Sequence, residues 1–180
     1  MKKFNDIENE ALPYGGNESK SANDLEKSDN YRDELPDNCY VVRYLANNHV
    51  EKGKDGKTRV KPNAFELREK TKDGPETFLS VSRRHEKSKV EFAPGYFNAK
   101  GYVQFPIGLL KEIAEDCNIE LIKFIDPTKD DPDHSAIMYK VGGEIVKGKS
   151  EHPDLLKFYK RLAEISEFEF FSSREKDKKE

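Results

Sequence analysis

The chain has 180 residues, with 32 lysines and arginines, 35 aspartates and glutamates and a formal net charge of −3. This length suits one ordinary domain with terminal extensions, and a core of that size folds without staples. No stretch is apolar over the length needed to cross a bilayer, and the 2 cysteines lack the spacing of a zinc cluster or a disulfide framework. We therefore expect a cytoplasmic protein that is not inserted in a membrane and has no metal or cofactor.

The first 36 residues are rich in polar side chains and carry nine acids against five bases. Their scattered apolar residues offer too little surface to offset the entropy of ordering the chain. Residues 37–173, in contrast, carry 23 acids and 23 bases. We predict a disordered acidic N-terminal arm over residues 1–36, a single domain over 37–171 and a charged tail over 172–180.

The first predicted elements are a strand and a hairpin. Cys39–Leu45 is rich in β-branched and aromatic residues, as strands are. Asp55 and Gly56 then lie between two polar arms that end in Val50 and Val60, which is typical of a tight hairpin. The motif GKDGKT in this turn is similar to the end of a phosphate-binding loop, but it has two residues rather than four between its glycines and no helix pattern after it. A hairpin turn is the interpretation that we adopt.

The segments that follow the hairpin continue the strand pattern. Ala64–Glu69 and Thr77–Ser82 alternate apolar and polar residues, which predicts a second antiparallel pair that is half open to water. A basic link leads from this pair to a further strand at Gly101–Phe105. The first half of the domain is therefore expected to be sheet.

This half of the chain also holds its one basic region. Residues 50–90 contain twelve lysines and arginines against seven acids. If the hairpins share a face, such residues could neutralise nucleic-acid phosphates. The candidate binding residues are Lys57, Arg59, Lys61, Arg83 and Arg84. The simpler interpretation is that exposed lysines on strands protect the protein against aggregation.

Helix patterns appear in the second half. Pro106 suits the first turn of a helix whose apolar face ends before Asn118. Ile119–Ile125 is apolar on both faces, and we therefore place it in the centre of the sheet. A second helix with an apolar face begins near residues 150–153, and a last strand pattern, Ala136–Val141, precedes it. Without regular βαβ alternation, these elements predict an α+β fold: a mixed, mainly antiparallel sheet with two amphipathic helices on one face.

The motif KDDPDHSAI at Lys129–Ile137 collects three carboxylates, an imidazole and a hydroxyl. His134 and Ser135 are neighbours on an extended chain and face opposite ways, so they form a poor nucleophile–base pair. The carboxylates would suit a hard cation, but the run lacks the glycine and the distant glutamate of a calcium loop. We favour a structural interpretation, in which Asp133 accepts backbone amides in a turn built by Pro132 and His134 satisfies a buried carbonyl.

A second histidine lies in the motif SRRHE. Its two arginines lower the affinity of His85 for a proton, which would leave the imidazole neutral and available as a base or a ligand. Arg83 and Arg84 are adjacent on a predicted strand end, so at most one of them points into a site. A solvated loop is the alternative.

One dispersed set of residues resembles a known enzyme class. Arg43, Ser80 or Ser82, and Glu167 or Glu169 occur in the order of the Arg, Ser and Glu motifs of ADP-ribosyltransferases. In that family the arginine holds the dinucleotide phosphates and the last glutamate orients the ribose. The resemblance implies these roles for the matching residues here.

Longer motifs resemble a set of small bacterial proteins of undefined function. The matching stretches are LPDNCYVVRYL, AFELRE with FLSVS, and IDPTKDDPDHSAI. They follow the family pattern LPxxxxVVRY, LSV and DPxxxxPxH from Leu35 to about Ile137. The resemblance implies a recurring domain that is associated with defence or mobile-element loci, and it implies no activity.

Two functional hypotheses follow. The first is an accessory interaction module that binds a protein or a nucleic acid through the basic hairpin face. The alternative is a small enzyme acting on phosphodiester or nucleotide substrates, in which the four candidate catalytic residues meet in one cleft and Asp131 or Asp133 tunes an imidazole. Those candidates are Arg43, His85, Asp133 and His134. The sequence leaves open the oligomeric state and the choice between enzyme and module.

Overall fold

The computed structural model describes residues 34–90, 98–128 and 131–171. These residues form an α+β fold with a seven-stranded antiparallel sheet, a separate two-stranded hairpin and two α-helices, which confirms the predicted fold class. The strands are β1 Tyr40–Ala46, β2 Val50–Lys52, β3 Thr58–Val60, β4 Leu79–Arg84, β5 Ala99–Pro106, β6 Ile119–Ile125, β7 His134–Val141, β8 Glu144–Ile145 and β9 Glu169–Phe170. The predicted tail and most of the predicted arm lie outside the described residues.

The seven-stranded sheet has the order β6-β7-β4-β1-β5-β9, and β8 pairs with β7. Strand β1 lies between β4 and β5 and is antiparallel to both. Its β-branched residues Val41 and Val42 are buried on opposite faces, which suits a strand that is covered on both sides.

The two helices are α1, Ile107–Glu115, and α2, Pro153–Ile165. Pro106, which we predicted in the first turn of α1, is its N-cap, one position before the first turn. Pro153 is the first residue of α2. Asn118 follows α1 with a left-handed φ of 57°, a conformation that asparagine tolerates better than most residues. The predicted helix starts and ends are therefore correct to within a few residues.

Both helices cover the same face of the sheet. Leu110 of α1 and Phe158 of α2 share one buried cluster with odd-numbered strand residues such as Val41, Val81 and Ile137. Even-numbered residues of the same strands form two smaller buried clusters on the other face. These residues are Val42, Tyr44, Ala136 and Met138. This alternation decides on which side of the sheet each polar strand residue lies.

The predicted hairpin is present. Strands β2 and β3 pair from Val50–Val60 to Lys52–Thr58, and they form a sheet of their own. Gly56 has a φ of 79° in the turn, which glycine adopts without strain. The hairpin is anchored at its base, where Val60 is buried in the main core.

The prediction of a strand at Ala64–Glu69 is wrong. Ala64 ends a 3-10 turn that starts at Pro62, and residues 65–69 are irregular. Phe65 and Leu67 are buried as an alternating strand would bury them, but side chains bind the backbone here. The carbonyl of Ala64 accepts from the guanidinium of Arg43, and that of Phe65 accepts from the hydroxyl of Tyr139 at 3.1 Å. Strand β4 therefore pairs with β1 and β7 instead.

The central placement of Ile119–Ile125 is also wrong. This strand, β6, is an edge strand of the sheet, and among the described strands it pairs along its length only with β7. Its other side meets the chain briefly, where Glu34 bridges to Phe124. Apolar residues on both faces of β6 indicate that the strand is covered above and below. They do not indicate whether another strand pairs with it on each side.

The described structure begins before the predicted domain boundary at residue 37. Leu35 is fully buried in the main core, so the last residues assigned to the arm belong to the fold. Cys39 and Cys117 are buried free thiols. None of the helices in the described part of the chain is long and apolar enough to cross a membrane.

Candidate functional site

The polar turn between β6 and β7 is built around Asp131. Its carboxylate accepts from the hydroxyl of Ser82 at 2.5 Å and from the amide of Asp133 at 3.0 Å. Its carbonyl accepts the amides of Thr128 and His134, at 3.0 and 3.1 Å. The turn is therefore structural, as the sequence indicated, but Asp131 makes the bonds that we assigned to Asp133.

His134 begins β7 and is buried. Its Nδ1 lies 2.6 Å from the carbonyl oxygen of Asp126 and 3.8 Å from the carboxylate of the same residue. A carbonyl only accepts, so the ring hydrogen is on Nδ1, and the prediction that His134 satisfies a carbonyl is confirmed. The carboxylate beside this imidazole belongs to Asp126, and neither Asp131 nor Asp133 has that place.

Arg43 links three parts of the fold. Its Nε donates to the carbonyl of Ala64 at 3.3 Å, and its Nη1 donates to the carbonyl of Ser80 at 3.0 Å. The pairing of β1 with β4 reaches only to Val42 and Ser82, so Arg43 lies where the two strands are no longer paired. Its guanidinium takes the place of ladder hydrogen bonds at this point in the sheet.

An open cavity of about 550 Å³ lies beside Arg43. Its lining residues are Arg43, Asn48, His49, Asn63, Glu66, Leu67, Arg68, Glu69, Lys70, Glu76, Ser80, His134 and Lys149. Arg43 and His134 therefore line one cavity, although strand alternation places them on opposite faces of the sheet. The unpaired stretch between β1 and β4 gives side chains from both faces access to this cavity.

His49 lines this cavity and lies in the field of several positively charged residues. Its Nδ1 accepts the amide hydrogen of Ala46 at 3.3 Å, so the neutral ring carries its hydrogen on Nε2. Burial lowers the pKa of His49 below the ordinary 6.5, and the fields of Arg43, Lys61 and Arg68 lower it further. We call these four residues the His49 group; at neutral pH it holds an uncharged imidazole donor among three cations.

The acidic residues of the cavity have basic or amide partners. Glu76 binds the guanidinium of Arg68 through contacts of 2.6 and 2.8 Å, and this bond raises the pKa of Arg68. Glu66 lies 4.0 Å from the amine of Lys149, and Glu69 accepts the amide of Lys149 at 3.0 Å. The cavity thus has a cationic side at His49 and an acidic side at Glu66 and Glu69.

The other candidate catalytic residues lie elsewhere. His85 is exposed just beyond the end of β4, and neither it nor Asp133 is among the lining residues of the cavity. Asp133 lies 3.7 Å from the guanidinium of Arg83. Of the four predicted catalytic residues, the structure brings together Arg43 and His134.

The predicted basic face is divided into two parts. Lys57, Arg59 and Lys61 belong to the hairpin, which follows the end of β1. Arg83 and Arg84 pair with Val41 and Tyr40 at the start of β1, and they alternate between the two faces of the sheet. Five basic residues therefore do not form one surface, because β4 runs antiparallel to β1 and carries its arginines away from the hairpin.

Of the ADP-ribosyltransferase-like residues, Arg43 and Ser80 lie together at the cavity, but neither glutamate lines it. Glu169 accepts the hydroxyl of Tyr102 at 3.0 Å on β5, and Glu167 lies 3.6 Å from the amine of Lys87. Ser82 is bound to Asp131, on the far side of β1 from Glu169. The structure gives no support for the roles that this resemblance implied.

His49 and Arg68 are site residues that the sequence analysis missed. His49 ends the short 3-10 helix Asn47–His49 and Arg68 lies in an irregular segment, and neither belongs to a motif with chemical spacing. The asparagines and histidine of ANNH were the available signal, since they interrupt a strand before a basic hairpin. Among the described residues, no group of three or more His, Cys, Asp or Glu side chains is placed to hold a metal ion.

Comparison of the chain with protein-family models, with curated protein sequences and with solved structures gave no match.

Proposed function

We propose that this protein is an accessory nucleic-acid-binding module of a bacterial system, and that the β2–β3 hairpin is its main contact. The observation that supports this most directly is the charge of the hairpin. Residues 51–61 carry five bases and two acids, whereas the protein as a whole has a net charge of −3. Lys52, Lys54 and Lys57 are exposed on this ribbon.

The form of the hairpin suits a polyanion. A two-stranded ribbon fits the major groove of a duplex, and lysines on it neutralise phosphates without reading the sequence. The positive charge continues past the hairpin base into the His49 group, because the amide of Lys61 donates to the carbonyl of His49 at 2.8 Å. The binding that we propose is therefore salt-dependent and indifferent to sequence.

The experiment measures binding of labelled single- and double-stranded DNA and RNA by fluorescence anisotropy at several salt concentrations. Lys52, Lys54 and Lys57 are replaced together by alanine. Each lysine that contacts a phosphate should reduce the slope of log affinity against log salt by about 1. The matched control replaces Lys87, Lys89 and Lys111, three exposed lysines away from the hairpin, and should keep most of the slope.

Two results would count against the proposal. One is the absence of nucleic-acid binding at low salt, and the other is an equal loss of binding in the two triple variants. If the protein instead bound a protein partner, and replacement of the hairpin lysines abolished that binding, the module would recognise protein, which is the other partner class that the sequence allowed.

A second candidate function is an enzyme acting on phosphodiester or nucleotide substrates. What favours it is that Arg43 and His134 line the same cavity, with a cation and an imidazole available to one ligand. It predicts slow turnover of a phosphodiester substrate by the wild type and at least a hundredfold loss in His134→Asn, as expected for a general base. Turnover that is unchanged in His134→Asn would rule out this role.

A further inference from the structure

The cavity beside Arg43 has the size of a small-ligand pocket and a polar lining. Its volume of about 550 Å³ falls within the roughly 300–1,000 Å³ range of small-ligand pockets. Among the described residues that line it, Leu67 is the only aliphatic one, and the others are polar or charged. A ligand that fits this cavity must therefore offer both charge and hydrogen-bonding groups.

The cationic side of the cavity suits a phosphate. The Nε2–H of His49 is a donor, because Nδ1 is already bound to the amide of Ala46. Arg43 is held in place by the carbonyls of Ala64 and Ser80, so its charge has a fixed position beside His49. Lys61 at the hairpin base is not a lining residue, and Lys70, which does line the cavity, supplies a further cation. A phosphate oxygen that meets a neutral donor and fixed cations gains charge-assisted hydrogen bonds.

The acidic side suits the remainder of a nucleotide. Glu66 and Glu69 present carboxylate oxygens, which accept hydrogen bonds from ribose hydroxyls or from the amino group of a base. Both carboxylates already have partners in Lys149, which limits their repulsion of an anionic ligand. A nucleotide with its phosphate at His49 and its sugar or base towards Glu66 keeps the negative charge of the phosphate away from the carboxylates.

We infer that this cavity binds the terminal phosphomonoester of a nucleic-acid strand, with His49 and Arg43 at the phosphate. The identification of the strand as nucleic acid rests on the proposed function of the hairpin. A phosphomonoester is preferred to an internal phosphodiester because it carries a further negative charge for the cations. The free nucleotide shares this chemistry, and the experiment separates the two sources.

The test compares short single strands that carry a phosphate or a hydroxyl at the 5′ end, and separately at the 3′ end, by anisotropy with the full-length protein. We expect the phosphorylated strand to bind about tenfold more tightly at one of the ends, as one or two charge-assisted hydrogen bonds would produce. A nucleoside monophosphate should compete with the phosphorylated strand. His49→Phe should abolish the preference for the phosphorylated strand, and His49→Gln, which keeps a hydrogen-bond donor, should retain most of it.

The control is Lys54→Met, on the exposed hairpin turn, which should weaken both strands equally and leave the preference intact. Circular dichroism of each variant verifies that it is folded. If the phosphorylated and unphosphorylated strands bind equally at both ends, or if the preference survives His49→Phe, the cavity inference is overturned while the hairpin proposal stands. If the nucleoside monophosphate binds and no strand does, the hairpin proposal fails and the cavity is a free-nucleotide site. If nothing binds, both fail.

Discussion

Lys123 is the most buried lysine in the described structure, and its amine depends on Asp37. The amine lies 2.5 Å from the carboxylate of Asp37 and 3.5 Å from that of Glu34, and its side chain is 5% exposed. The hydrogen bond from Lys123 is the main cause that lowers the pKa of Asp37 below 3.8, with Lys111 adding to it. The pair helps to hold the start of α1 against β6, because the backbone carbonyl of Asp37 accepts the amide of Gly108 at 3.1 Å.

We expect Asp37→Asn to reduce the free energy of unfolding by about 1–2 kcal/mol at neutral pH, since a buried cation then loses its nearest anion. The depressed pKa of Asp37 means that its contribution is present above pH 3.8 and is lost as the pH falls through the lower folded value. Denaturant titrations of wild type and variant should therefore converge in acid. Lys111→Ala, which removes an exposed partner of Asp37, should cost less than about 1 kcal/mol. Parallel stability curves down to acid pH would contradict this account.

At the scale of single residues, the sequence identified side chains better than it identified their partners. The bond of His134 to a carbonyl was predicted from its place at the start of a strand after a turn. The contact between Arg43 and Ser80 joins residues 37 positions apart, and it depends on strands that separate after Val42. Local patterns carry no information on where two strands separate, so the cavity was not predictable from them.

Among the secondary-structure elements, β9 and β8 are each attached to the sheet by two residue pairs. The pairing of β9 with β5 covers Gly101–Phe170 and Tyr102–Glu169. A methyl group on Gly101 would collide with the carbonyl of Glu169 and would lie 2.6 Å from the ring of Phe168. The absence of a side chain at Gly101 is therefore a condition for the docking of β9.

We expect Gly101→Ala to detach β9 and to cost about 1–3 kcal/mol, the usual effect of overpacking. Hydrogen exchange would show faster exchange at Phe170, and thermal melts would show the loss of stability. Gly108→Ala is the matched control, because the nearest atom to its added methyl is the carbonyl of Asp37 at 3.6 Å. Since Gly108 lies in α1, alanine should stabilise the protein by up to about 1 kcal/mol there. Equal effects of the two changes would refute the steric explanation.

At the scale of elements, the hairpin and both helices were predictable because their signals are local. Turn glycine, first-turn proline and helical spacing act within a few residues. The prediction for Ala64–Glu69 was wrong because Phe65 and Leu67 are buried alternately, as they would be in a strand. The carbonyl of Phe65 is instead bound by the hydroxyl of Tyr139, which is 74 residues away along the chain. Periodicity reports which side chains are buried and does not report what binds the backbone.

The charge of the whole molecule works against the proposed function. The hairpin is basic, but residues 1–33 carry eight acids and five bases, which is enough to account for the net charge of −3 of the full chain. At about 10 mM salt the Debye length is roughly 30 Å, so a nucleic acid at the hairpin is repelled by the charge of the arm residues wherever they lie within that range. At about 150 mM salt the length falls to roughly 8 Å, and the local charge of the hairpin decides.

We therefore expect removal of residues 1–33 to strengthen nucleic-acid binding several-fold at low salt and to leave it nearly unchanged at physiological salt. Replacing the eight acids of this segment by their amides in the full-length chain should reproduce the effect, because the charge is responsible and the length of chain is not. Anisotropy titrations of the three proteins at both salt concentrations make the comparison. A gain from truncation that persists at physiological salt and is absent from the amide variant would mean that the segment covers the binding surface directly, and long-range repulsion would then not be the cause.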